Sequence, residues 1–277
     1  MVVAGYHGGE EEDGVSGLGH ARRLWALDSP TFTLDRGILM VGASGEVTIP
    51  MPAYLIEHPR GLVLFDTGLA PQAADAPELV YGGLASFLGI RFSPEQRVDR
   101  QIESLGYRLS SVTHVVASHT HFDHTGGLHL FPEARLYVGQ GDLRYAFWPD
   151  PAGAAFFRTA DLEPTRSYRW LEVPRGVDHD LFGDGSVVVL STPGHTPGEL
   201  SLLVRLPGRN FLLTGDTVHL REALEREVPM PYDADTAEAV RSIRRLKLIR
   251  ESADAIVWIT HDPEDWAEFP HAPFCFE

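Results

Sequence analysis

Apolar residues in this chain fall into short runs, each closed by a turn signal, and several of the runs end on a histidine or an aspartate. The segments 53–57 and 62–66 are rich in β-branched and aromatic residues and flank His58-Pro59-Arg60-Gly61, a spacing that predicts a β-hairpin. Further strands are expected at 112–117, 134–138, 186–190, 200–204, 211–214 and 255–260. Two segments carry a helical period instead. One is 94–105, with Val98, Ile102 and Leu105 on one stripe and Gly106 as its stop. The other is 235–251, with Ala239, Ile243, Leu246 and Ile249. Segment 142–148 reads as a short helix or lid element. Strands in both halves, with a helix beside each, predict an α/β architecture of β-sheets covered by helices. No repeat at a solenoid period appears, and no long linker divides the chain.

Composition narrows the class. A chain of 277 residues, 43% hydrophobic and 22% charged, is an ordinary globular sequence able to bury a large core. Its 39 acidic against 23 basic residues give a net charge of −16. Such a surface repels nucleic acid and anionic membranes and favours a neutral or apolar small molecule as partner. The single cysteine, Cys275, excludes a disulfide scaffold and any metal site built on clustered thiolates, leaving histidine and carboxylate as ligands. Residues 1–20 lack the basic and apolar regions of a signal peptide and are read as a flexible acidic lead to a single domain over 21–277. No run approaches the roughly 20 apolar residues of a membrane span, so a cytoplasmic protein is expected.

The chemistry concentrates in Ser118-His119-Thr120-His121-Phe122-Asp123-His124, between the strand at 112–117 and Gly126-Gly127. On an extended segment His119 and His121 face the same way, and Asp123 and His124 follow where the chain turns. Four such ligands around one loop are too crowded for a single tetrahedral ion, and two neighbouring ions are the natural reading. A solvated polar turn is the bland alternative, but histidines and a carboxylate packed this closely are costly without a cation. Three later strands end alike, in Thr192-Pro193-Gly194-His195, Thr214-Gly215-Asp216 and Thr260-His261-Asp262. A lone histidine after a strand is usually structural; the repeated pattern of strand, tight turn, then His or Asp marks these as ligand candidates.

This H-x-H-x-D-H run with its later His, Asp and His resembles the metallo-β-lactamase fold superfamily over roughly residues 50–265. The resemblance implies a four-layer αββα sandwich with metals at one edge between the sheets. It implies that His119, His121 and His195 hold a first divalent cation, that Asp123, His124 and His261 hold a second, and that Asp216 bridges them. Asp66, in an Asp-Thr-Gly element, is implied to orient a histidine from behind. Within the superfamily, position 216 is not a cysteine, His121 is not the glutamate of redox di-iron members, and only 16 residues follow His261, too few for an added helical domain. What remains is similar to the N-acyl homoserine lactonase branch, on Pro52 to Pro59, Leu64 to Gly68, the 121–124 run, 192–198 and His261-Asp262-Pro263-Glu264-Asp265-Trp266.

That likeness implies ring opening of a lactone by a hydroxide shared between two divalent ions. Zinc is the first expectation, and cobalt, iron and manganese are compatible with the ligands. Asp123 and Asp216 belong to the implied catalytic set. Other lactones such as pyridoxolactone, or an ester, thioester or phosphodiester, are alternative substrates, and a non-catalytic metal-bound sensor is a different class of reading. His219 stands where the branch carries a tyrosine that contacts the lactone; a histidine can also donate to a carbonyl or departing oxygen. Phe122, Phe147 and Trp148, with Tyr145 and Phe156-Phe157, are candidates for contact with an apolar part of the substrate, although such aromatics are more often core. His58, His114, His129 and His179 are assigned to structure or surface, and a homodimer is allowed.

Overall fold

The computed structural model describes residues 18–277. The acidic lead assigned to 1–20 therefore lies, through residue 17, outside the described residues. In the described part of that segment, the Gly19 N–H donates to the Asp184 carbonyl at 2.7 Å.

Thirteen strands make up the sheets of the described chain: β1 (Arg23–Ala26), β2 (Thr31–Asp35), β3 (Glu46–Pro50), β4 (Tyr54–His58), β5 (Gly61–Phe65), β6 (Val112–Val116), β7 (Arg135–Gly139), β8 (Arg169–Val173), β9 (His179–Asp180), β10 (Val187–Ser191), β11 (Leu200–Leu206), β12 (Arg209–Leu213) and β13 (Ala255–Trp258). The first sheet runs β1-β4-β5-β6-β7-β8 and the second β13-β12-β11-β10-β9, while β2 and β3 form a separate hairpin. Strands β4 and β5 are antiparallel around the expected turn, and β5 through β8 are parallel.

Alternation along the strands sorts side chains into layers. Tyr54, Ile56, Val63, Phe65 and Val116 of the first sheet pack against Val189, Leu202, Val204, Phe211 and Leu213 of the second, with Trp258 among them. The neighbours between them point the other way. Leu55, Leu64, Val115 and Leu136 meet Val98 and Ile102 of the helix Val98–Ser104. Leu190, Leu203 and Leu212 meet Ile243 and Leu246 of the helix Thr236–Ser252. The result is helix, sheet, sheet, helix: the four-layer αββα sandwich. Strands buried on both faces explain why they read as unbroken apolar runs, and each fully buried large side chain contributes about 1.5–3 kcal/mol.

Helix boundaries follow local chemistry. The Asp235 side chain accepts from the Glu238 N–H at 2.9 Å and caps the long helix. Asp262 caps the helix Pro263–Glu268 in the same way, with Pro263 at its first position, which accounts for the Asp-Pro-Glu-Asp run after His261. The periodic segment 94–105 divides into a 3₁₀ turn, Pro94–Gln96, and the helix proper. Strands β1, β2, β3, β8 and the two-residue β9 carry weaker patterns and lie outside the segments expected from the sequence. β8 is an edge strand with only Val173 fully buried, so no apolar run marks it. No helix among the described residues is long and apolar enough to cross a membrane.

Candidate metal centre

The chain leaves β6, β10, β12 and β13 at the same edge of the sandwich, and each exit delivers a candidate ligand. After β6, the Ser118 N–H donates to Asp66 Oδ1 at 2.7 Å, and His119-Thr120-His121 leads into the short helix Phe122–Thr125. The turn after β10 places His195. There Gly194 takes φ +144°, and a Cβ at that position would collide with the backbone of Ala239, so the loop lies flat on the long helix.

His119, His121, His195 and Asp216, all buried, bring one ligand atom each to within 4.8 Å of one another, and Asp123, His124 and His261 do the same beside them. Asp216 stands between the two groups. Its Oδ2 lies 3.6 Å from His195 Nε2 and 3.8 Å from His119 Nε2, while its Oδ1 lies 2.8 Å from His261 Nε2 and 3.3 Å from His124 Nε2. His119 Nε2 and His124 Nε2 are buried without a hydrogen-bond partner. Orphaned buried polar atoms are costly in a folded protein, and these converge on common points. Nitrogen and carboxylate donors in that arrangement fit divalent cations.

The ring nitrogens facing away are held. His124 Nδ1 lies 2.9 Å from Asp66 Oδ2, His195 Nδ1 3.0 Å from Asp233 Oδ1, and His261 Nδ1 donates to the Pro50 carbonyl at 2.7 Å. His119 Nδ1 meets Ser118 Oγ at 3.0 Å and Glu199 Oε2 at 3.3 Å. Each contact leaves Nε2 to face the cluster, the arrangement that fixes a ligating imidazole. Burial first, then the neighbouring histidines, hold His119 and His121 well below the ordinary histidine range, in the neutral form that binds metal. Burial and the nearby Asp216 push the Glu199 carboxyl well up. Asp66 adopts φ +62°, a conformation rare for a side chain larger than glycine's, while bonding both Ser118 and His124. Asp66→Ala is expected to weaken metal affinity by roughly 10- to 100-fold, read by competition with a chelating dye. An affinity within about twofold of the parent would remove Asp66 from this role.

Glu199, Asp233 and Asp142 went unnoticed in the sequence. Asp142 joins two ligand loops, accepting from Thr120 Oγ1 at 2.7 Å and from the Gly198 N–H at 3.1 Å. Each is a single carboxylate with no motif around it, and only its partners give it meaning.

A pocket opens on the cluster. His121, Asp123, His195, Asp216, His219 and His261 form its polar floor. Its walls are apolar and come from Phe32 and Leu34 of β2, Ile49 of β3, Met51, Leu88 and Phe156, with Met230 and Tyr232 beyond. The contacts expected of Phe122, Phe147 and Trp148 are not found in that lining. Phe122 is fully buried, 5.8 Å from Phe32 and 4.7 Å from Tyr81 ring to ring, because the short helix that carries it turns its apolar side into the core. It backs the pocket wall. Phe147 and Trp148 end the helix Asp142–Phe147 on the outer surface, where Trp148 is 87% exposed and Arg166 lies over the Phe147 ring. Phe156 does line the pocket, and Phe157 packs 4.5 Å from the His121 ring. His219 is 4% exposed on the floor, with Nε2 3.1 Å from Asp216 Oδ2.

The sequence profile of the metallo-beta-lactamase superfamily matches residues 51–261, the span from just before β4 to the last ligand, His261. The chain belongs to this superfamily. Among its members, an N-acyl homoserine lactonase AttM from Rhizobium radiobacter is 36% identical over 255 residues, covering 91% of this chain and 97% of that protein. A solved N-acyl homoserine lactone hydrolase, with the product N-hexanoyl-L-homoserine bound at its catalytic metal centre, superposes with a TM-score of 0.81 at 24% identity, covering 93% of this chain and 100% of its own. AidC, a dizinc quorum-quenching lactonase in complex with a product, gives a TM-score of 0.66 at 15% identity over 94% of this chain and 97% of its own. At these identities the solved structures establish the shared superfamily fold.

Proposed function

We propose that this protein is a metal-dependent hydrolase that opens the ring of N-acyl homoserine lactones. In this reading His119, His121 and His195 hold one divalent cation, Asp123, His124 and His261 hold a second, Asp216 is shared, and zinc is the first candidate for both. The observation that carries it is the joining of a buried His and Asp cluster to an apolar-walled pocket. A polar ring with an acyl tail has both characters, and the full-length similarity to a protein named N-acyl homoserine lactonase supports that substrate.

The cations supply Lewis acidity and a water of lowered pKa. The chain does the rest. Phe32, Leu34, Ile49 and Leu88 give the acyl tail a place out of water, beside the floor where the ring must lie. Ring opening needs a proton at the departing oxygen. Asp216, facing His219 Nε2 at 3.1 Å, is the carboxylate of the floor positioned to pass one on. With that contact His219 serves the reaction through Asp216 and takes a different role from a tyrosine reaching toward the lactone. A net charge of −16 and one cysteine accord with a cytoplasmic enzyme acting on a neutral small molecule.

Incubating the zinc-loaded protein with N-acyl homoserine lactones of several chain lengths, and with lactones lacking an acyl chain, tests the reading. The expected result is acid release with a product one water heavier, and a higher kcat/KM for acylated substrates. Failure to open any lactone would overturn it.

A further inference from the structure

We propose that Tyr232 is a specificity-determining residue of this pocket, its hydroxyl donating a hydrogen bond to the amide carbonyl that joins the lactone ring to the acyl tail. This rests on the reading of the pocket as a site for N-acyl homoserine lactones.

The polar side chains of the lining leave little choice. Five of them, His121, Asp123, His195, Asp216 and His261, are the proposed metal ligands. His219 sits on the floor with its Nε2 against Asp216 Oδ2. Tyr232 supplies the one hydroxyl of the lining among the described residues, and it is 41% exposed against 4% for His219. Of the two, Tyr232 is the one open to solvent within the lining.

Its backbone is fixed to the cluster. Asp233, the next residue, holds His195 Nδ1 with Oδ1 at 3.0 Å and accepts from the Met230 N–H with Oδ2 at 2.9 Å. The Ala234 N–H donates to the His195 carbonyl at 3.1 Å and the Asp235 N–H to the Gly194 carbonyl at 3.0 Å. The segment that carries Tyr232 is therefore registered on a ligand loop. The Phe156 ring lies 6.3 Å from the Tyr232 ring and 5.5 Å from the His121 ring, so the two aromatics stand together beside the cluster.

A substrate whose ring lies on the floor and whose tail follows the apolar wall must place its amide between the two. That amide gives up water on entry, and a carbonyl left unpaired loses much of what the pocket gains. Tyr232 is the lining residue with a proton to offer there.

The test is Tyr232→Phe in the full-length, zinc-loaded enzyme, with kcat/KM measured for N-hexanoyl homoserine lactone and for γ-decanolactone, which keeps the five-membered ring and an alkyl tail but has no amide. The ratio of the two values, amide-bearing over amide-free, is expected to fall roughly tenfold, carried by KM more than kcat. Inhibition by the product N-hexanoyl homoserine should weaken in parallel. A ratio unchanged by the substitution overturns the assignment, whether both activities hold or both fall together, since the latter is what a merely structural role produces. A parent enzyme that opens γ-decanolactone and not N-hexanoyl homoserine lactone overturns the substrate reading and this inference with it. A normal parent with an unmoved ratio overturns this inference alone.

Discussion

Asp216→Ala is expected to lower kcat/KM for lactone opening by at least about a thousandfold, roughly 4 kcal/mol of transition-state stabilisation. The same variant should lose metal, retaining after dialysis fewer ions per chain than the parent. The reason lies in one carboxylate with two faces. Oδ2 looks toward His119 and His195, and Oδ1 toward His124 and His261. Removing it takes a negative charge from the middle of a cluster of histidines, weakens both groups at once and takes away the partner of His219. The Asp216 backbone N–H donates to Glu199 Oε1 at 2.8 Å, and that bond survives the substitution, so the loop should keep its course. Metal analysis by emission spectroscopy, paired with steady-state kinetics, reads both effects. A variant with parental metal content and a tenth or more of parental activity would show that the shared-ligand assignment is wrong.

Stripping the metal with a strong chelator is expected to abolish turnover and to lower Tm by on the order of 10 °C, with zinc restoring both. Ligand present at about a thousand times its dissociation constant stabilises a folded chain by roughly 4 kcal/mol. In a protein of this size each kcal/mol moves Tm by about 2–4 °C. The physical source is visible in the cluster. His119 Nε2 and His124 Nε2 are buried with no hydrogen-bond partner, and a cation is what satisfies such nitrogens. Differential scanning fluorimetry before and after chelation measures the shift. A Tm that moves by less than about 1 °C would mean that the folded state does not depend on the ions.

How much of this was legible beforehand follows from the range of the interactions. Strands β4 to β7 and β10 to β13 announced themselves because each carries a short run of apolar residues, most of them buried in the central strands β4, β5 and β11. Strand β8, with polar or exposed residues at most of its positions, and the half-wet hairpin β2–β3 did not, since neither carries such a run. The seven candidate ligands could be named because strand, turn, then His or Asp is a local pattern. Asp262 capping a helix behind His261 is local too.

The direction of a ring is another matter. Phe122 lies inside the ligand motif, yet a four-residue helix turns it onto Phe32 and Tyr81 in the core. Phe147 and Trp148 read as lid aromatics, yet their helix presents them outward.

The sequence by itself determined the layered α/β class, the ligand candidates and the pairing of acidic surface with a metal-centred site, because each rests on neighbours a few positions apart or on composition. Tertiary structure alone decided that Phe32 and Leu34 from an unanticipated hairpin, Leu88, and Tyr232 from nearly two hundred residues later would wall one pocket. It also decided that Glu199 and Asp233 would stand behind His119 and His195. Those meetings depend on how whole sheets and loops pack, and no period or spacing along the chain records which distant surfaces will close on each other.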